Sequence, residues 1–92
     1  MRRRVPIWVG RLKISPRTGQ KIIQEHGLTP IEVREAVEAV AGLRALWDQD
    51  PVFGLRALIR TRIRDRPVLV VLYEWADPFG DTFSLASAYF ID

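Results

Sequence analysis

The sequence predicts an α+β fold in which two N-terminal helices pack on one face of a small antiparallel β-sheet. Three observations predict it: a central stretch of alternating polarity followed by an apolar run, two helix start signals nearer the N-terminus, and a second alternating stretch at the end. Consecutive strands joined by short turns pair in antiparallel fashion, and amphipathic helices bury one side against them. The predicted order of elements is β-α-α-β-β-β.

Residues 53–75 predict a hairpin around which the sheet is organised. In the first half, apolar or small residues alternate with arginines, and a period of two sends these two sets to opposite faces of a strand. Residues 68–73 are almost all aliphatic, so we expect a central strand that is buried on both sides. Pro67 opens this second strand, where a missing N–H is tolerated. The arginines predicted to share one face, called the arginine strip below, are Arg56, Arg60, Arg62 and Arg64.

Two helices are predicted between the first strand and the hairpin. Ser15 precedes Pro16 as an N-cap, and Gly27 supplies a left-handed stop about three turns later. The residues Thr29 to Glu32 then form a capping box. The second helix is expected to run from about Pro30 to about Ala41, ended by Gly42.

The remaining segments are assigned by their turn residues and their alternation. Residues 5–14 predict a short strand or extended arm, interrupted at Gly10. Residues 42–52 predict a loop or a ragged helical extension, closed by a turn at residues 48–51. Residues 83–90 alternate again and predict the last strand.

The composition limits the class of protein. Ninety-two residues with 48% apolar residues and three Trp suit a single domain, residues 1–92, of which residues 1–4 are expected to be a flexible basic tail. Oligomerisation or a bound partner would add to the limited burial of so short a chain. There is no Cys and one His, so we expect no disulfide, no metal site and no cofactor. No membrane span or signal peptide is evident, which predicts a cytoplasmic protein.

The charge is unevenly distributed along the chain. The first 21 residues contain seven cations and no acid, and residues 54–66 contain five arginines and one aspartate. Two basic blocks separated by acidic ones favour one side that faces a polyanion. Twelve of the fourteen cations are Arg, which can contact a phosphate through two hydrogen bonds. The alternative is a solubilising surface in an Arg-rich chain.

A set of residues spread over positions 13–92 matches a known pattern: His26-Gly27, Glu32-Val33, Ala36, Arg56, Arg66, the run Val70 to Tyr73, and Ser87-Ala88. These residues resemble the BrnT branch of the RelE-like toxins, which belong to type II toxin–antitoxin systems. The resemblance implies a β-α-α-β-β-β fold, cleavage of messenger RNA, and a cognate antitoxin that covers the active face. The chain differs from the pattern at Ala76 and Tyr89, where the family tends to carry Arg.

Metal-independent RNA cleavage requires a group that takes the 2′-hydroxyl proton, a group that protonates the leaving oxygen, and fixed positive charge at the phosphate. Arg56 and Arg60 are the candidates for that charge, since their Cα atoms should lie roughly 13 Å apart on one strand face. Glu74 and His26 are the candidates for proton transfer. Glu74 could instead form a cross-strand ion pair, and His26 could simply complement the end of a helix.

Other cations and one aromatic residue complete the predicted RNA-binding set: Arg62, Arg64, Arg66, Lys13, Lys21 and Trp75. Bases stack on exposed aromatic rings, although most aromatic residues of a small domain belong to its core. Two hypotheses follow. The chain is either a toxin that binds and cleaves RNA, or a noncatalytic module that binds a nucleic acid or a protein through the same arginines.

Overall fold

Residues 3–92, which the computed structural model describes, form one six-stranded sheet with two helices packed against one of its faces. The elements are β1 (Arg4–Pro6), β2 (Arg11–Lys13), α1 (Pro16–His26), α2 (Pro30–Val37), β3 (Arg44–Asp50), β4 (Gly54–Ile63), β5 (Arg66–Glu74) and β6 (Thr82–Phe90). The strands lie in the order β1-β3-β4-β5-β6-β2, and only the β2–β6 pair is parallel. The predicted α+β class and the predicted order of helices and strands are confirmed; the structure adds β3 and divides the first predicted strand into β1 and β2.

The central hairpin forms because the alternation in β4 matches the aliphatic run in β5. Ala57 and Ile59 pair with Leu72 and Val70, and all four side chains are fully buried against the helices. The two strands are joined at Arg64 and Asp65, which both have positive φ angles (53° and 61°), as the twist of a two-residue hairpin turn requires. This turn ends the alternation, so Arg64 is not a member of β4.

Both helix starts follow the predicted capping pattern. The Ser15 side chain accepts a hydrogen bond from the Thr18 N–H, and α1 ends at His26, followed by the C-cap Gly27, whose φ of 69° is left-handed. At the start of α2, the Thr29 side chain accepts from the Glu32 N–H, and the Glu32 carboxylate accepts from the Thr29 N–H. The sequence therefore determines both N-termini locally.

The predicted end of α2 is wrong by about one turn, because α2 stops at Val37. Glu38 leaves the helix with extended angles, and its carboxylate accepts a hydrogen bond of 2.8 Å from the Leu12 N–H. The Ala39 N–H donates to the Val9 carbonyl at 2.7 Å. Contacts with the distant N-terminal segment therefore end the helix before Gly42.

The predicted loop before the hairpin is also wrong, because residues 44–50 form β3 and pair with β4. Asp48 and Asp50 belong to this strand, so the turn begins only after Asp50. The Asp50 carboxylate accepts hydrogen bonds from the Val52 and Phe53 amides and so closes that turn. The aspartates that suggested a turn therefore have other roles: Asp50 closes the end of β3, and Asp48 binds Arg56 on β4.

The N-terminal segment forms two short strands on opposite edges of the sheet. The predicted interruption at Gly10 separates β1 from β2. Arg4 belongs to β1, where it pairs with Leu46, and its carbonyl accepts from the Arg44 guanidinium at 2.8 Å. The prediction of a free tail over residues 1–4 is therefore wrong at Arg4, and residues 1–2 lie outside the described part of the chain.

The helices cover one face of the sheet and leave the other without a helix layer. One face packs on α1 and α2 through buried residues such as Ile22 and Val33. The other, called the open face below, carries Leu58, Leu69 and Tyr73, which are only half-buried. The prediction that β5 is buried on both sides is therefore wrong for its open side, although Val71 there is only 7% exposed.

Candidate nucleic-acid interface

The open face is built from rows of side chains that cross the sheet, since paired residues of neighbouring strands point to the same side. One row is Asp48, Arg56, Tyr73, Ser84 and Lys13. The next is Leu46, Leu58, Val71 and Ser87. A third is Arg60, Leu69 and Tyr89. The rows that contain Arg56 and Arg60 thus lie on either side of the apolar row of Leu46, Leu58 and Val71.

A groove of about 490 Å³ lies in this face and is lined by Phe53, Arg56, Val71, Tyr73, Ala86, Ser87 and Tyr89. Phe53 reaches it from the β3–β4 turn and packs edge-on against Tyr73, with ring centroids 5.8 Å apart. A bulge in the pairing between β5 and β6 near Val71 turns both Ala86 and Ser87 towards the groove. The groove therefore combines aromatic rings, small side chains and hydroxyl groups.

Arg56 is held by acids of the neighbouring strand. Its Nε and Nη2 atoms donate to the two carboxylate oxygens of Asp48 at 2.5 and 3.0 Å, and its Nη1 lies 3.7 Å from Asp50. The hydrogen bond with Asp48 raises the pKa of Arg56. The Phe53 and Val52 amides lower the pKa of Asp50, so the Asp50 carboxylate stays charged beside Arg56. Arg56 therefore lines the groove with most of its charge neutralised.

Arg60 and Arg62 differ from Arg56 in having no strong acidic partner. The Arg60 side chain is exposed and forms no hydrogen bond or ion pair with any of residues 3–92. Arg62 is exposed, donates to the Asp65 carbonyl at 2.6 Å, and only approaches the solvated Asp65 carboxylate at 3.5 Å. Arg60 supplies accessible positive charge at one end of the face, and Arg62, which also borders a pocket with Glu32 and Glu35 of α2, lies at its margin.

Arg64 does not belong to the arginine strip, so the prediction that groups it with Arg60 is wrong, and Arg66, predicted as a further RNA-binding cation, is also engaged elsewhere. Arg64 donates to both carboxylate oxygens of Glu32 at 2.6 and 2.7 Å and to the Gly27 carbonyl at 2.8 Å. It therefore ties the hairpin turn to both helices. Arg66 forms two hydrogen bonds with Asp92, at 2.8 and 2.9 Å, and lies 3.8 Å from the Phe90 ring centroid.

The two predicted proton-transfer residues are not brought together. Glu74 follows Leu72 with the period of two and pairs with buried Phe83, so it lies on the side of the sheet opposite Arg56 and Arg60. Glu74 therefore does not lie beside the arginines that it would have to assist in proton transfer. His26 ends α1 and does not itself line the groove, but its ring centroid lies 5.6 Å from that of Tyr89, which does.

The other predicted RNA-binding residues separate into two groups. Lys13 is on the open face, and its ammonium lies 4.9 Å from the centroid of the Trp75 ring, which is half-exposed. Lys21 is exposed on α1, in the helix layer, and so does not share the open face. Lys13 and Trp75 thus extend the interface towards the β2 edge, whereas Lys21 does not.

Sequence reasoning missed several residues of this face. Tyr73, Ser87 and Tyr89 line the groove. The period of two in β5 and β6 places residues 69, 71 and 73 on the same face as residues 87 and 89, so this alternation could have indicated them. Asp48 was missed as the partner of Arg56 because residues 48–51 were predicted to be a turn. Its pairing with Arg56 follows only once residues 44–50 are recognised as β3.

Within residues 3–92, no three His, Asp or Glu side chains cluster closely enough to hold a metal ion. Neither described helix has the length and apolar character needed to cross a bilayer. A scan against protein-family models found no match to this chain, and searches of curated proteins and of solved structures found none either. The function is therefore inferred from the geometry of the open face.

Proposed function

We propose that this protein binds single-stranded RNA across its open face. The observation that carries the proposal is the position of accessible Arg60 beside a groove lined by Phe53, Tyr73 and Tyr89, with Arg62 two residues farther along β4. Proteins that bind single strands combine cations that follow the phosphates with aromatic rings on which bases stack. With RNA as its ligand, the protein would act in the cytoplasm.

RNA cleavage is the second candidate function, and the contact between His26 and Tyr89 favours it. In this reaction a base removes the 2′-hydroxyl proton, the oxygen attacks the adjacent phosphorus, and the 5′-oxygen leaves with a proton from an acid. His26 is the ring that can exchange these protons at the groove, because Asp48 and Asp50 already bind Arg56. Arg60 would stabilise the charge that develops on the phosphate.

We extend the proposal to a toxin role, for which the same surface would serve. The resemblance to the BrnT branch supplies the expectation of a cognate antitoxin, and the half-buried centre formed by Leu46, Leu58 and Leu69 gives an apolar partner a place to bind. A partner there would cover Arg56 and Arg60 and compete with RNA. If the chain does not cleave RNA, the same face serves a noncatalytic module.

Binding is tested by fluorescence anisotropy with a labelled single-stranded RNA of about 12 nucleotides, a length within the usual site sizes. Arg60→Ala should weaken binding about tenfold, as expected for one lost charge-assisted contact. It should also lower the slope of log affinity against log salt by about 0.7. The matched control is Arg17→Ala, which removes an exposed arginine from α1. Equal affinities for the two variants would overturn the proposal.

Cleavage is tested with end-labelled RNA in the presence of a metal chelator. Wild-type protein should give products with a 2′,3′-cyclic phosphate, and His26→Ala should lower the rate without changing the affinity measured by anisotropy. RNA that stays intact while binding remains normal would identify the protein as a noncatalytic module.

A further inference from the structure

A second cavity, called the edge cleft below, lies where β2 meets the end of the β5–β6 hairpin. Its volume is about 470 Å³, and the residues that line it include Arg11, Lys13, Trp75, Asp77, Phe79 and Asp81. The loop between β5 and β6 forms one wall. Phe79 at the tip of this loop is 87% exposed, so an apolar surface faces solvent here without a described partner.

Trp75 is the largest flat surface in the edge cleft. Its backbone N–H donates to the Thr82 carbonyl at 3.1 Å, which fixes the residue just beyond the end of β5. Its side chain is 49% exposed, and the Lys13 ammonium lies over the ring. A half-exposed indole held by the backbone is a ready platform for a planar ligand.

The edge cleft is continuous with the open face. Lys13 pairs with Ser84, Ser84 with Tyr73, and Tyr73 with Arg56, which together form one row across four strands. Three strand spacings separate Arg56 from Lys13, or about 14 Å between their Cα atoms. A single strand that contacts Arg60 can therefore continue across the groove into the edge cleft.

The charges in the edge cleft favour a base over a phosphate. Two cations, Arg11 and Lys13, are balanced by the carboxylates of Asp77 and Asp81, unlike the region around Arg60. Asp77 accepts hydrogen bonds from the Phe79 amide and the Thr82 hydroxyl, so its oxygens are already in use. Asp81 forms no side-chain hydrogen bond or ion pair within residues 3–92. It remains able to accept hydrogen bonds from a ligand.

We propose that the edge cleft is a nucleobase subsite in which a base stacks on Trp75, with guanine bound best. This proposal rests on the proposed RNA binding. Guanine offers two adjacent N–H donors on its Watson–Crick edge, which suit the two oxygens of the Asp81 carboxylate, whereas uracil offers one. Base stacking on an aromatic ring is stronger than an exposed cation–π contact. A base therefore displaces the Lys13 ammonium, which moves to the phosphate of the same nucleotide.

The test compares two tryptophan variants in the same RNA-binding measurement. Trp75→Ala should weaken binding of a guanosine-containing single strand about tenfold, within the range known for the loss of one stacked base. The matched control is Trp8→Ala, since Trp8 is 50% exposed but does not line the edge cleft. It should leave the affinity unchanged. RNA binding that depends on Arg60 but is the same in both tryptophan variants would overturn the subsite and leave the proposed function intact.

A second measurement uses mononucleotides and the intrinsic tryptophan fluorescence. Guanosine 5′-monophosphate should quench wild-type fluorescence more strongly than uridine 5′-monophosphate, and Trp75→Ala should lose this quenching. Asp81→Asn should reduce the difference between the two nucleotides, because the amide replaces one acceptor with a donor. Equal quenching by both nucleotides in wild-type protein would overturn the guanine preference. Absence of any RNA binding would overturn the proposed function and the subsite together.

Discussion

The two faces of the sheet use the same strands for different purposes. Side chains at Ala57, Ile59, Val70 and Leu72 are completely shielded by α1 and α2, so this face supplies the hydrophobic core. One residue along, Leu58 and Leu69 are half-buried and border the groove. Alternate residues of the same strand therefore contribute to the core or to the groove. Residue type alone does not show on which face a leucine lies.

A second comparison concerns arginines that are neighbours in sequence. Arg60 and Arg62 extend from β4 without a strong acidic partner. By contrast, Arg64 binds the Glu32 carboxylate of α2, and Arg66 binds the side-chain carboxylate of Asp92. The hairpin turn at Arg64 and Asp65 causes the difference, because its positive φ angles redirect the chain after Ile63. Positive charge therefore has two roles within seven residues: it is available to a ligand before the turn and structural after it.

The largest expected effect tests the difference between the two faces. Ile59→Ala should lower the free energy of unfolding by about 2–5 kcal/mol, because it leaves a cavity in a fully buried site. Leu58→Ala, on the open face, should cost less than half as much. Urea denaturation of both variants measures this, and equal losses would mean that the open face is covered as well as the helix face.

The next effect tests the difference between the arginines. Arg64→Ala should lower the thermal midpoint, because it removes the contacts of the turn with Glu32 and the Gly27 carbonyl, and it should leave RNA affinity unchanged. Arg60→Ala should do the reverse. Calorimetry and fluorescence anisotropy on the same preparations provide the comparison. A loss of RNA affinity in Arg64→Ala as large as in Arg60→Ala would remove the distinction.

A smaller effect is expected from acid. The hydrogen bonds from Arg64 and the Thr29 amide lower the pKa of Glu32 from 4.5 to about 2. A carboxylate with a lowered pKa in the folded state stabilises the protein above its ordinary pKa, and this contribution is lost as the pH falls through 4.5 towards 2. Wild-type protein should therefore be more stable than Glu32→Gln above pH 4.5.

The stability difference between these two proteins should shrink as the pH approaches about 2. Other carboxylates with lowered pKa values, including Asp92, remain in both proteins, so the difference isolates Glu32. Unfolding experiments over this pH range measure it. A difference that stays constant with pH would show that the Glu32 charge does not contribute to stability.

Local signals in the sequence were sufficient for part of the fold. The alternation in β4 and the caps at Ser15 and Thr29 depend on neighbouring residues only, so the hairpin and both helix starts were predicted. The end of α2 depends on hydrogen bonds with Val9 and Leu12, which are distant in sequence. Contacts between residues so far apart leave no pattern in the neighbouring sequence, so the end of α2 could not be predicted from it.

The candidate site was predictable to a similar degree. Arg56 and Arg60 share the open face, as the period of two predicts, and the same period extended from Leu72 would have placed Glu74 on the other side. The pairing of Arg56 with Asp48 could not be predicted while β3 was assigned to a loop. The turn at Arg64 was recognised as polar, but its effect on the direction of Arg64 depends on backbone angles.

The most direct test of the account maps the RNA on the protein by NMR. In a titration of isotope-labelled protein with single-stranded RNA, the amide signals of open-face residues such as Leu58, Val71 and Ser87 should shift together with those near Arg60. Signals from α1, such as Ile22 and Lys21, should stay in place, because the helix layer lies on the other side of the sheet. Shifts concentrated on α1 and α2, with the open face unaffected, would contradict the account.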